Sequence, residues 1–481
     1  MDSEKKKIFE KIFYPQSIAI VGISRSNGGL GGQFFLKNLK RGGFPGRIYL
    51  INPVAKEIDG LPVHPNINSL PEAVDLAIIC TPAKLVPSLM EECRQRGIMN
   101  IYILSAGFKE LGTREGINLE EEIKEVAKNG NLHVIGPNCM GPYVPASKLL
   151  LWGQIPGKVG NFAFISQSGT LTQRLTEYAY FSGIGLSKAI SFGNAAVLDS
   201  SDYLEYLAED EETKIIGFYL ESVQEGKRFL DLARRISPQK PLLVWKGGET
   251  PAGSGAVASH TGNLSGKDEI WDKALRQTGA LRLYSLEEIY TTAMAFLYLP
   301  RPPGRKVFIL GGGGGNSVFY ADICLHHGLQ VPPLRGEAQK KISGLVPEVG
   351  SFARNPVDAW RAYYDPEFMR EVLEIVLATP DLDIIILDRL IPRATYATPE
   401  EKDSLPLIIN FLQKNRYRKP IAVVIDGSGE DPYLAAEAAK IRQQFCQAKI
   451  PAFSSLRLAA RALAHLCSYS ERYAEKNNFW K

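Results

Sequence analysis

The sequence predicts an α/β protein of three doubly wound domains, each a parallel sheet with helices on both faces. Short, nearly continuous apolar runs alternate with amphipathic stretches along the chain, the pattern of strands buried on both sides. Glycine-rich or Ser-Gly turns join an apolar run to the following amphipathic stretch after residues 21, 166 and 310. The length of 481 residues suits about three domains of ~150 residues each. Punctuation along the chain places these at 1–147, 148–299 and 300–481. The last boundary falls in Leu299-Pro-Arg-Pro-Pro-Gly-Arg305, where three prolines and a glycine end a helix and stiffen the connection.

In the first domain the strands are SIAIVGI (17–23), RIYLINP (47–53), DLAIICTP (75–82), NIYILSAGF (100–108) and LHVIGPN (132–138). After the first run comes Gly22-Ile-Ser24-Arg25-Ser-Asn-Gly28-Gly-Leu-Gly31, then a helix ending at Gly42. A glycine-rich turn between strand and helix sets backbone amides and a helix N-terminus against a phosphate. The second strand ends Ile51-Asn52-Pro53 with no carboxylate until Glu57, so nothing is placed to hold the ribose 2′-hydroxyl of NAD. A nucleotide that carries its own ribose phosphate fits instead; CoA does, and Arg25 and Lys56 are available cations. The turns at Thr81-Pro82, Ser105-Ala106-Gly107 and Asn138 bring small or polar residues to the carboxyl edge of the sheet, where ligands of open α/β sheets bind.

The second domain repeats the alternation. NFAFIS leads through Gln167-Ser168-Gly169-Thr170 into a helix, a second anion site built from free amides and hydroxyls. The runs GLSKAISFGN, KIIGFYLES and PLLVWKGG follow, and Glu221 closes one of them at the same carboxyl edge. A carboxylate there can accept one N–H of an imidazole and leave the other nitrogen nucleophilic. The last run enters KGGETPAGSGAVASHTGNLSG (246–266), which reads as a long mobile loop: glycine-rich, nearly devoid of bulky apolar side chains, and bearing one histidine, His260. Two helices, at 267–279 and 285–299, complete the domain.

The third domain opens KVFILGGGGGNSVFYADICLHHGL, with five glycines in an anion-tolerant turn. The strands LDIIILD and PIAVVID and helices at 433–448 and 455–468 follow. His326 and His327 read as a helix end rather than metal ligands.

Composition excludes several classes. With 45% hydrophobic and 22% charged residues the chain is an ordinary globular protein. Its net charge of +4 is dispersed, without the basic block that nucleic acid would call for. The six cysteines, at 80, 93, 139, 324, 446 and 467, have no CxxC or metal-ligand spacing, which points to free thiols in a reducing compartment and no metal site. The start, MDSEKKKIFEKIF, lacks a signal-peptide core, and no stretch reaches the ~18 apolar residues of a membrane span, so a cytoplasmic location without membrane contact is expected.

The ordered set IVGIS, GPNCMG, ISQSGT, YLES, WKGG and SHTG resembles the α subunit of the ADP-forming acyl-CoA synthetases, relatives of succinyl-CoA synthetase. The likeness covers essentially the whole chain. It implies a Rossmann-like CoA-binding domain followed by two flavodoxin-like domains. It implies phosphorylation at His260, support of that histidine by Glu221, and phosphate held at Gln167, Ser168 and Gly169. It implies CoA held by Gly22, Ser24, Arg25, Gly28, Gly31, Asn52, Pro53, Thr81, Pro82, Ser105, Ala106, Gly107 and Asn138. Three positions depart from the pattern: Val54 stands where many relatives have lysine, and Asn263 and Ser265 replace residues of SHTGALAG. No stretch reads as the ATP-grasp module the family needs, so the resemblance implies a heteromer with a β subunit that brings ATP/ADP and Mg²⁺, with phosphate and a small carboxylic acid as the other substrates. A CoA-binding regulator or pseudoenzyme of the same fold is the alternative. A protein acyltransferase ranks last, since no acetyltransferase segment is read after residue 470.

Overall fold

The computed structural model describes residues 3–24, 29–153, 155–261, 266–311, 313–346, 352–363, 365–389, 399–427, 429, 431–474 and 479, with backbone alone at 258–261 and 399–403. Arg25, Gly28, Asn263 and Ser265 lie outside the described residues.

Helix α1 (Ser3–Phe13) leads into β1 (Ser17–Val21), α2 (Gly32–Gly42), β2 (Arg47–Ile51), β3 (Glu57–Ile58), β4 (Leu61–His64), β5 (Leu76–Ile79), α3 (Val86–Gln95), β6 (Asn100–Ile103), α4 (Arg114–Gly130) and β7 (His133–Ile135). The first sheet runs β3-β4-β2-β1-β5-β6-β7. All its pairs are parallel except β3 with β4. Every residue of β1, β5 and β6 is buried, as their unbroken apolar sequences require. Because β1 pairs with β2 on one side and β5 on the other, the chain leaves it in two directions and opens a crevice at its carboxyl end. The short pair β3–β4 has too few residues to show a period in sequence.

The chain continues through β8 (Gly141–Val144), β9 (Leu149–Leu150), β10 (Val159–Ser166), α5 (Gly169–Phe181), β11 (Leu186–Ser191), α6 (Ser200–Glu209), β12 (Ile215–Leu220), α7 (Gly226–Ile236), β13 (Leu242–Lys246), α8 (Pro251–Thr261), α9 (Asp268–Thr278) and β14 (Leu281–Leu283). The second sheet is ordered β14-β13-β12-β10-β11-β8-β9. Its first five strands are parallel, and β10, between β11 and β12, is the point where the strand order reverses. Strand β8 runs antiparallel to β11, and β9 antiparallel to β8. These two strands straddle residue 147: the second sheet starts at Gly141, because the Gly136–Gly141 turn delivers the chain straight to the open edge of β11.

The charged start is a helix. Phe9, Ile12 and Phe13 of α1 recur at helical spacing and are buried. Phe9 lies 5.0 Å from the Tyr206 ring and 5.9 Å from that of Tyr203, while Lys5 Nζ pairs with Asp202 at 2.8 Å and Glu205 at 2.9 Å. Helix α1 is thereby fastened to α6 of the second sheet. All of this, residues 1–180 and 184–286, forms one compact unit.

Residues 181–183 and 287–481 form the other. It contains α10 (Leu286–Tyr298), β15 (Val307–Gly311), α11 (Gly314–His326), α12 (Gly336–Leu345), β16 (Val357–Asp358), α13 (Pro366–Leu377), β17 (Ile384–Asp388), α14 (Pro399–Asn415), β18 (Ile421–Val424), α15 (Pro432–Gln447), β19 (Ala452–Phe453) and α16 (Leu456–Arg472). Thus α10, expected to close the second domain before residue 300, groups with the third sheet instead: Arg461 of α16 pairs with its buried Glu288 at 2.5 Å. The sheet is parallel throughout, ordered β16-β15-β17-β18-β19. His326 ends α11 and His327 caps it, its N–H directed at the carbonyls of Ile323 and Cys324. Among the described residues no helix is long and apolar enough to cross a membrane, and no group of three potential metal ligands converges. All six cysteines are free thiols.

Candidate active site

The carboxyl edges of the first two sheets enclose a cavity of about 670 Å³. Its walls include Thr81, Pro82, Ser105, Ala106 and Asn138 from the first sheet and Gln167, Ser168 and Gly169 from the second. Eight residues singled out in the sequence therefore meet at one place. The three strand ends on the first-sheet side are tied together: Ser105 Oγ donates to the Thr81 carbonyl, and the Asn138 amide donates to the Ser105 carbonyl at 3.0 Å. Thr81 Oγ1 is buried without a partner among the described residues, and Cys80 also faces the cavity, with burial pushing its thiol well above the ordinary range.

The described part of the glycine-rich turn reaches this cavity through Leu30. Gly22 has φ +84°, and a Cβ there would stand 2.5 Å from Thr81 Cγ2, so no other residue fits between the ends of β1 and β5. Gly31 caps α2, with open space beside it. Asn52 is committed to the fold: its Nδ2 donates to the Ile23 carbonyl at 2.7 Å, and its Oδ1 accepts the amides of Val54 at 2.8 Å and Ala55 at 2.9 Å. It shapes the glycine-rich turn by holding Ile23. Ser24, Pro53, Val54 and Lys56 are exposed at this rim.

On the second sheet, the end of β10 leads into the N-terminus of α5. Ser168 Oγ accepts the Leu171 amide at 3.3 Å, while the Ser168 amide is occupied by Ser166 Oγ at 3.0 Å. The next two N–H groups, of Gly169 and Thr170, have no acceptor among the described residues and stand at the N-terminus of α5, beside the cavity. Free amides at a helix start attract an anion at ~0.3–1 kcal/mol each, more where water is excluded. Gly169 is required sterically, since a Cβ would lie 2.7 Å from Met140 Cγ.

Glu221, buried at the end of β12, is fixed by its neighbour. Gln167 Oε1 accepts the Glu221 amide at 2.6 Å and the Ser222 amide at 3.0 Å, and Tyr219 donates its hydroxyl to Glu221 Oε1 at 3.2 Å. Burial, with the Glu221 charge beside it, pushes the Tyr219 phenol above its ordinary range, so this donor keeps its proton.

The stretch expected to be a mobile loop is largely helical. Helix α8 occupies Pro251–Thr261 and carries His260 in its last turn; the histidine side chain itself is outside what is described. Thr250 Oγ1 accepts the Gly253 amide at 3.1 Å, and proline at the first helical position needs no hydrogen-bond acceptor for its nitrogen. Val257 is buried over Gly248, whose carbonyl accepts Ser254 Oγ at 2.9 Å and also Lys246 Nζ. Lys246 is fully buried, and that burial lowers its pKa. Alanines and these anchors outweigh the helix cost of Gly253 and Gly255, ~1 kcal/mol each. The helix packs against the single turn Lys109–Leu111, which follows the cavity-lining Ser105 and Ala106 by a few residues.

Comparison with known proteins assigns both sheets of this site. Residues 16–144 match the family described as a CoA binding domain, and 159–296 the succinyl-CoA ligase like flavodoxin domain. Subunit alpha of acetate–CoA ligase [ADP-forming] I from Pyrococcus furiosus is 33% identical over 467 residues, 96% of this chain and 98% of that one. The chain belongs to the α subunits of the ADP-forming acetate–CoA ligases, which are acid–thiol ligases.

Other ADP-forming acetate–CoA ligases are longer. The Archaeoglobus fulgidus enzyme I is 37% identical over 378 residues, but the match spans 54% of its length. Within the family's solved structures, the dinucleotide-forming acetyl-coenzyme A synthetase 1 of Ca. Korarchaeum cryptofilum, in complex with phosphate and ADP, matches with a TM-score of 0.84 at 30% identity, over 97% of both chains. Its agreement across the whole chain confirms the order of a CoA-binding domain followed by two further α/β domains.

Two residues at the site escaped the sequence reading, Glu110 and Asn194. Asn194 Nδ2 donates to Glu110 Oε2 at 2.6 Å, a contact between residues 84 apart in the chain. Asn194 closes the run GLSKAISFGN, where nothing marks its side chain, and Glu110 stands in no run or motif.

Proposed function

We propose that the chain is the α subunit of an ADP-forming acyl-CoA synthetase working through a phosphohistidine at His260. The observation that carries this reading is the placement of the free α5 amides, Glu221 and the helix bearing His260 along one carboxyl edge. Phosphate attacks the thioester carbonyl of acyl-CoA in the cavity; the C–S bond breaks, the thiolate of CoA takes up a proton, and an acyl phosphate remains. A ring nitrogen of His260 then attacks phosphorus, the bond from phosphorus to the acyl oxygen breaks, and the carboxylate leaves. Glu221 holds the second ring N–H and offsets the charge that develops on the imidazole. The Gly169 and Thr170 amides neutralise part of the phosphoryl charge at this step.

The phosphoryl group passes to ADP on a second subunit of ATP-grasp type, which holds the nucleotide and Mg²⁺; the subunit naming of the P. furiosus relative supports such a partner. The cavity's small, uncharged walls suit a small carboxylic acid. Incubation of the chain with its partner subunit, CoA, Mg²⁺ and labelled ATP is expected to give an acid-labile phosphate on the α chain, absent in His260→Asn. Equal labelling of that variant would sink the reading.

A further inference from the structure

We infer that Glu110 is a positioning residue that transmits occupancy of the cavity to helix α8; this rests on the function proposed for His260. Glu110 sits in the turn Lys109–Leu111 and uses both carboxylate oxygens. Oε1 accepts the amides of Gly107 at 2.6 Å and Phe108 at 3.1 Å, holding the cavity wall. Oε2 accepts Asn194 Nδ2 at 2.6 Å, and the same nitrogen donates to the buried Glu120 Oε2 at 2.9 Å. Asn194 is itself fixed: it is buried, its amide donates to the Pro137 carbonyl at 3.1 Å, and its Oδ1 accepts Asn138 Nδ2 at 3.4 Å.

One carboxylate thus joins Gly107, next to the cavity-lining Ser105 and Ala106, to Asn194 in the turn after β11, and α8 rests on the turn that carries it. Hydrogen bonds to a charged acceptor are short and stiff, so displacement of the Gly107 backbone moves the turn as a body. A ligand that pulls on Ser105–Gly107 therefore changes the surface against which α8 packs. Coupling of this kind is reciprocal, and docking of α8 tightens the same ligand.

Glu110→Gln separates the two halves of the link. Its Oε1 still accepts the Gly107 and Phe108 amides, while its Nε2 faces Asn194 Nδ2, donor against donor. The readout is backbone hydrogen exchange of residues 251–261 in the full chain, with and without CoA, alongside calorimetric CoA binding. In the wild type CoA is expected to slow this exchange about fivefold or more; in Glu110→Gln, which retains CoA binding, the slowing falls below about twofold. Asn194→Ala is expected to do the same, and the double variant no more than either single change, because all three break one link. A Glu110→Gln chain that keeps the full CoA-induced slowing overturns the inference, as does additive loss in the double variant. A wild-type chain that binds no CoA overturns the proposed function and, with it, the ligand side of this link. Bound CoA without any slowing overturns the link alone.

Discussion

Gln167 holds Glu221 by the backbone: a single side-chain oxygen from the end of β10 accepts the amide of Glu221 at 2.6 Å and that of Ser222 at 3.0 Å. The carboxylate expected to steady the imidazole is thereby set by a neutral amide, which adds no charge beside it. Leucine at 167 would preserve the volume and leave both amides unpaired, at about 1–3 kcal/mol for each buried group. Gln167→Leu is expected to lower the denaturation midpoint of the first compact unit by this amount and to reduce phosphorylation. Chemical denaturation and labelling together check it, and an unaltered midpoint would show the two bonds to be dispensable.

Gly169 and Met140 form a steric pair at the phosphate turn. A Cβ at 169 would stand 2.7 Å from Met140 Cγ, so Gly169→Ala forces apart the start of α5 and the Gly136–Gly141 turn. Overpacking of this kind costs about 1–3 kcal/mol. The labelling rate of Gly169→Ala should fall roughly tenfold, since small displacements of preorganised donors are costly. Met140→Ala in that background should recover part of the loss; no recovery would mean that the damage lies elsewhere than in this contact.

Asp388 gives the second compact unit a pH dependence. Burial raises its carboxyl to about 6, against the hydrogen bonds from Tyr320 and Tyr363, with Asp426 adding to the rise. The folded chain therefore binds this proton more tightly than the unfolded one. Its contribution to stability is full below the unfolded value near 4, falls as pH rises to about 6, and is lost above that. Asparagine, always neutral and still able to accept from the tyrosines, should make the unit more stable than wild type at pH 7.5 by about 2–3 kcal/mol. The difference should vanish near pH 4. Denaturation curves at the two pH values check the sign, and a variant less stable at pH 7.5 would refute it.

Strands buried on both faces are legible in sequence because continuous apolar runs have few other uses, and the phosphate turns are legible because glycine must stand where Gly22 and Gly169 approach neighbouring chains. Helix α8 is read as a loop because its sequence is mostly alanine, serine and glycine, with Val257 the one sizeable buried side chain among those described in it. The sign of a helix start was nonetheless present in Thr250-Pro251. Helix α1 is hidden by its lysines, although Phe9, Ile12 and Phe13 repeat at the helical period. Glu110 and Asn194 cannot be read at all without coordinates, since what gives them meaning is a distance of 2.6 Å across the chain.

The crossing of elements between the first two sheets bears on inheritance. Strands β8 and β9 follow directly from the first sheet yet complete the second, while α1, which opens the chain, is clasped to α6 by Phe9 and Lys5. A recombination break at residue 147 would leave β8 without β11 on one fragment and bare the aromatic face of α6 on the other. A break near residue 286 would cut neither of these contacts, because both lie within the one compact unit of residues 1–180 and 184–286.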